Sequence, residues 1–138
     1  MITDRRVVLV ALLCCAPMVG CGGGISAPRT VPTSGTVLYK GKPAEGVRVT
    51  LRPKFAMQFT PNGTTGKDGR FHLSTGAPLD GAPPGEYSAT FELMRAGADP
   101  RGRDTEFDAW KGKYANPDSA PKVTVGSSAT TLEPFRLD

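Results

Sequence analysis

Cysteine is missing from most of this chain. All three cysteines, Cys14, Cys15 and Cys21, fall in the first 21 residues, so nothing beyond them can form a disulfide or supply a thiol nucleophile. Histidine is almost absent too. A zinc site needs three or four Cys, His or carboxylate ligands, and the one imidazole, His72, does not support such a set. No apolar run reaches the roughly 20 residues that a membrane-crossing helix needs; the longest, residues 7–20, has 14. Charge of one sign is also scarce. The formal balance is +4, and the basic residues Arg48, Arg52, Lys54, Arg95, Arg101, Arg103, Lys111 and Lys113 are scattered. Nucleic-acid binding calls for basic residues clustered on one face with motif support, so no nucleic-acid partner is expected. No Gly-rich phosphate loop, GxSxG turn or calcium loop occurs, and the reading is a protein without cofactor or catalytic activity.

What the chain does have begins at its N-terminus. Arg5 and Arg6 precede the apolar run, which ends in small residues, as in an export signal. Met18-Val19-Gly20-Cys21 resembles the bacterial lipobox, in which an apolar pair and a small residue precede a cysteine that becomes lipidated. The resemblance implies cleavage after residue 20 and lipid attachment at Cys21. Each buried acyl CH₂ contributes about 0.8 kcal/mol, so two or more chains anchor stably without a transmembrane helix. The expected location is the cell envelope, on the outer-membrane or periplasmic side. Residues 1–20 are then the signal, residues 21–33 a Gly/Pro-rich tether, and residues 34–138 a single domain.

That domain is rich in turn residues, and its periodicity is two. Val47, Val49 and Leu51 alternate with Arg48, Thr50 and Arg52, and Tyr87, Ala89, Phe91 and Leu93 form the longest inward row. Asp68-Gly69 provides a tight hairpin turn before Phe71 and Leu73. Lys122–Val125 and Thr131–Leu137 read as a final pair of strands, with Pro134 placing the last at an edge. The expected fold is all-β, an antiparallel sandwich of about seven strands. The exception is residues 104–114. Asp104 can cap a short helix there, and Phe107, Trp110 and Tyr114 would share one face of it. These rings either plug an end of the sandwich or serve as the contact for a partner, an envelope protein or, alternatively, a polysaccharide. The segment 95–121 is the expected contact surface.

Four stretches carry a family resemblance: Gly35–Leu51 with its internal Gly41-Lys42-Pro43, Thr65–Phe71, Ala82–Tyr87 and Lys113–Pro121. They are similar to the carboxypeptidase regulatory-like domains of small bacterial lipoproteins. The resemblance implies a transthyretin-like sandwich that serves as a structural or binding module and does no chemistry of its own. Hydroxyisourate hydrolases share that architecture but use several histidines and a Tyr-Arg-Gly-Ser ending. This chain has one histidine and ends Phe135-Arg136-Leu137-Asp138, so that activity is rejected.

Overall fold

A computed structural model describes residues 28–138. Cys21 and the signal lie outside the described residues. Ten strands follow in order: β1 (Thr33–Tyr39), β2 (Lys42–Pro43), β3 (Val47–Pro53), β4 (Asn62–Thr64), β5 (Arg70–His72), β6 (Gly85–Ala98), β7 (Asp104–Asp108), β8 (Lys122–Val125), β9 (Thr130–Thr131) and β10 (Phe135–Leu137). They form two layers, and no helix occurs among the described residues. The count exceeds seven because β2 is a two-residue piece, β7 replaces the expected helix, and the last strand breaks at Glu133-Pro134 into β9 and β10.

The first sheet is organised around β1. Thr33 and Val37 bond along one edge to the β5 and β2 side, where Leu73 N donates to Thr33 O and Val37 N donates to Gly69 O. Pro32, Ser34 and Lys40 bond along the other edge to Thr130, Leu132 and Leu137. The expected all-β sandwich is what is found, antiparallel-rich, with β9 and β10 the strands that run parallel to β1. The second sheet runs β4-β3-β6-β7, with β8 beside the first half of β6. The expected final pair is thereby split: β8 joins β6, and β9 and β10 join β1. The hairpin through Asp68-Gly69 joins the layers, since β4 pairs with β3 and β5 with β1. Gly69 has φ +73, and a Cβ there would lie 2.6 Å from Val37 O, so glycine is required on both counts.

Between the layers lie Val37, Val47, Val49, Leu51, Phe71, Leu73, Tyr87, Ala89, Phe91, Val125, Leu132, Phe135 and Leu137. The alternation read from β3 and β6 is the one observed for these apolar residues. Thr50 departs from it: expected in water, it is buried against Thr90, whose hydroxyl donates to Thr50 O at 3.3 Å. Phe135 packs edge-on against Phe91 at 4.9 Å and stacks on Phe71, tying the parallel strand β10 to both layers. Buried Tyr87 donates its hydroxyl to Pro83 O at 2.7 Å, fixing the turn that feeds β6.

The sandwich has two dissimilar ends. Chain from residue 28 arrives at one, where Val31 pairs with Ala82 through two 3.0 Å bonds. This is the tether end, and it also carries the loops 54–61 and 75–84. Val31 and Thr33, expected in the tether, are already joined to the fold there. At the opposite, cap end lie Tyr39, Leu93, Asp108 and Leu137.

Candidate functional site

β3 accompanies β6 only as far as Leu93, which pairs with Val47. Beyond it, Met94–Ala98 pair with Asp104–Asp108 alone, so residues 94–108 form a two-stranded ribbon extending past the β3 register. Its tip is tied by Asp99. That carboxylate accepts from the amides of Arg101 (2.8 Å) and Arg103 (3.0 Å), and the Arg103 guanidinium closes on it at 2.6 Å. The Arg103 amide, then its guanidinium, hold Asp99 below the ordinary carboxylate range. Phe107 is 49% exposed, with its ring over Gly97, where a Cβ would come within 2.8 Å of it. Beside it a shallow cleft of about 480 Å³ is lined by Ala96, Gly97, Asp104, Thr105 and Glu106. Glu106 reaches back to Arg48 at 3.7 Å, an exposed pair of small energetic weight.

After Asp108 the chain does not become helical. Asp104–Asp108 is strand, and residues 109–114 are successive turns, with Lys111 donating to Asp108 O and Lys113 to Trp110 O. Lys111 (φ 52) and Gly112 (φ 81) are both left-handed, which interrupts any right-handed helix. The expected cap, Asp104, plays no such part. Asp108 instead accepts from the amides of Leu93 (2.8 Å), Trp110 (2.9 Å) and Gly112 (2.8 Å). The segment also completes the edge of β6: Phe91 N donates to Tyr114 O, Ala89 N to Pro121 O, and Ala109 N to Leu93 O.

The three rings expected on one face are therefore divided. Trp110 and Tyr114 pack edge-on at 5.0 Å, and the other neighbour of Trp110 is Tyr39 of β1 at 5.2 Å. Together they close the cap end between the layers, while Phe107 stays outside on the ribbon. Lys113 lies 5.0 Å from the Tyr114 ring, and both Lys113 and Tyr114 donate to the main-chain oxygen of Asp138. The hydrogen bond with Tyr114 raises Lys113 above its ordinary value. Tyr39 was absent from the sequence-based trio. Its place in the inward row after Val37 was the available signal, but nothing in the sequence linked it to residue 110.

Two more features complete the survey. A groove of about 490 Å³ runs between β8 and the β9–β10 edge, flanked by Lys122, Thr124, Glu133, Pro134 and Arg136. Lys122 is engaged there, donating to Ser88 Oγ and Pro117 O. His72 is exposed on β5, and among the described residues no three metal-ligating side chains gather.

No known protein family and no curated protein matches the sequence. Solved structures similar to this chain at low identity include the following two. One is a 9R-lipoxygenase from Cyanothece PCC8801 (TM-score 0.46, 14% identity), aligned over 82% of this chain and 17% of that one. The other is a DUF3823 family protein from Parabacteroides merdae (TM-score 0.38, 15% identity), aligned over 78% and 46% respectively. The chain thus spans less than half the length of either.

Proposed function

We propose that this chain is a lipid-anchored envelope protein whose transthyretin-like sandwich is a non-catalytic module that binds another protein through its ribbon. The observation that carries the anchor is Met18-Val19-Gly20-Cys21, placed after Arg5-Arg6 and the apolar run. Among the described residues, pairing begins at Val31, and nine residues lie between it and Cys21, the stretch read as the tether. The non-catalytic reading draws on His72, which is exposed on β5 and joins no cluster of metal-ligating side chains among the described residues. The binding reading draws on the ribbon: β7, whose outer edge pairs with no other strand among the described residues, an exposed Phe107 and a tip fixed by Asp99. Such an edge is a ready template for pairing with another chain. A protein is favoured over a polysaccharide because Trp110, the ring best suited to stack on a sugar, is wedged between Tyr39 and Tyr114.

The deciding measurement is the intact mass of the protein purified from membranes. The expected N-terminus is Cys21 carrying acyl chains, and Cys21→Ser should release the protein into the soluble fraction. An unmodified N-terminus still bearing residues 1–20 in the soluble fraction would overturn the reading.

A further inference from the structure

The large apolar side chains left exposed among the described residues are Phe55 (44%), Phe59 (48%), Leu79 (68%) and Phe107. Three of the four belong to the loops of the tether end. In loop 54–61, Met57 turns inward, its sulfur 3.9 Å from the Tyr87 hydroxyl; Phe55 rests one edge of its ring on Tyr87 at 5.8 Å and leaves the rest uncovered, and Phe59 is exposed beside it. In loop 75–84, Asp80 accepts from the amides of Thr75 (2.6 Å), Gly76 (3.0 Å) and Ala77 (2.9 Å), and Ser74 Oγ accepts from Leu79 N. This bonding presents Leu79 at φ 59, a conformation that non-glycine side chains rarely adopt. The loop thus holds a leucine outward at a cost in backbone energy. Ala82 of the same loop is bonded to Val31, the first paired residue after the tether.

We infer that Phe55, Phe59 and Leu79 insert into the bilayer that holds the anchor, so that the sandwich docks tether end down with its ribbon and cap directed away. This rests on the lipid-anchor reading. The geometry of the chain fixes the occupant. Nine residues, ten Cα–Cα steps, separate Cys21 from Val31, a span of at most roughly 35 Å even fully extended. The tether end therefore stays within reach of the lipid surface. β1 carries the cap end about 20 Å further off, at about 3.3 Å per residue. Aromatic and leucine side chains buried about 5–10 Å into the headgroup boundary are what hold peripheral proteins on membranes. Charge contributes little. Arg29, Arg52 and Lys54 are exposed at this end, but Glu86 lies 3.9 Å from Lys54 and Asp80 is negative as well.

The test uses the acylated full chain in vesicles of phosphatidylethanolamine and phosphatidylglycerol containing a nitroxide-labelled lipid. With Cys21 acylated, Ala77→Cys at the tether end or Lys42→Cys at the cap end supplies a thiol for a polarity-sensitive fluorophore. The probe at position 77 should shift to the blue and lose most of its intensity, and the probe at 42 should keep its own. Raising the salt concentration should leave this contrast in place. The combined change Phe55→Ser, Phe59→Ser and Leu79→Ser should abolish the quenching at 77 while the protein still floats with the vesicles. Flotation without quenching at 77, equal quenching at both positions, quenching that salt removes, or quenching that survives the triple change would each overturn the docking and leave the anchor standing. A chain that fails to float overturns the anchor reading and the docking together.

Discussion

At the cap end, Tyr39, Trp110 and Tyr114 meet ring against ring and close the gap between the sheets. At the tether end, Phe55, Phe59 and Leu79 are of the same chemical kind, yet a large part of each faces outward. A similar local device shapes one loop at each end. Asp108 gathers three amides and shapes residues 109–114 over the cap end; Asp80 gathers three amides and shapes residues 75–80 into a loop that leaves Leu79 exposed. Hydrophobicity alone therefore does not decide which rings become core. In the two loops that a carboxylate fixes, its amide bonds set where the apolar side chains lie, Trp110 in one and Leu79 in the other, whereas Phe55 and Phe59 belong to a loop that Asp80 does not touch.

The sharpest way to break this comparison is to truncate one ring at each end. Trp110→Ala removes a half-buried ring with aromatic neighbours on both sides and should lower stability by about 2–4 kcal/mol, somewhat less than a fully buried aromatic. Phe59→Ala, which truncates a ring 48% exposed with no aromatic neighbour among the described residues, should cost below about 1 kcal/mol, in line with a surface site. Urea unfolding of the two variants gives the difference directly, and equal losses would erase the distinction between plug and display. It follows that Trp110 and Tyr114 are poor probes of partner binding, because changing them opens the cap. Phe107→Ala alone is the clean test of the ribbon.

What could be read from the sequence followed from local alternation. Val47-Val49-Leu51 and Tyr87-Ala89-Phe91 announced β3 and β6, Lys122–Val125 announced β8, and Asp68-Gly69 announced its turn. What escaped was set by distant partners. Phe107, Trp110 and Tyr114 have the spacing of a helical face, but pairing of 104–108 with 94–98 and the left-handed backbone at Lys111 and Gly112 override it. β9 and β10 are too short to declare a side, and their parallel partner β1 lies about a hundred residues upstream. Asp80 and Asp108 looked like any surface acid, since nothing local shows how many amides a carboxylate will collect. Of the site residues, Phe107, Trp110 and Tyr114 read from the sequence as sharing one common role; that Phe107 alone stays exposed, and that Trp110 sits against Tyr39, depends on contacts far away in the chain.

The loop carboxylates give the next comparison. Asp108→Ala leaves the amides of Leu93, Trp110 and Gly112 without their acceptor and should cost about 1–3 kcal/mol. It should also turn Trp110 emission towards that of a solvated indole. Asp80 adds a dependence on pH. Burial pushes its pKa up, but the amides of Thr75, Ala77 and Gly76 together outweigh this, and the net shift is downward from 3.8. Its contribution is therefore present above the unfolded value and is lost as pH falls below about 4 through the lower folded value. Asp80→Asn should flatten that part of the acid limb. An unchanged limb would show that the loop does not depend on the charge.

Tyr87 tests whether the tether end is anchored from beneath. Tyr87→Phe removes the donor to Pro83 O and should cost about 1 kcal/mol. Burial raises the Tyr87 pKa above 10.0, so the folded state keeps its proton where the unfolded chain has begun to lose it. That contribution is intact below pH 10 and disappears as pH climbs through the raised value. In Tyr87→Phe the alkaline fall in stability should be shallower, and an identical fall would assign it to other groups.

The smallest effect expected has the opposite sign. Leu79 is held at φ 59, where a side chain costs about 1–2 kcal/mol relative to the right-handed region. Leu79→Gly relieves that strain but adds unfolded-state freedom worth about 0.5–1 kcal/mol. With the side chain 68% exposed, little packing is lost. The net expectation is a gain of about 0.5–1 kcal/mol in urea unfolding of the protein in detergent, together with weaker quenching of the position-77 probe in vesicles. A loss of stability would mean that the leucine packs on the domain and that the tether end hides its apolar residues much as the cap end does. A gain accompanied by weaker quenching would mean that the backbone holds Leu79 in a costly conformation for the sake of a contact outside the fold.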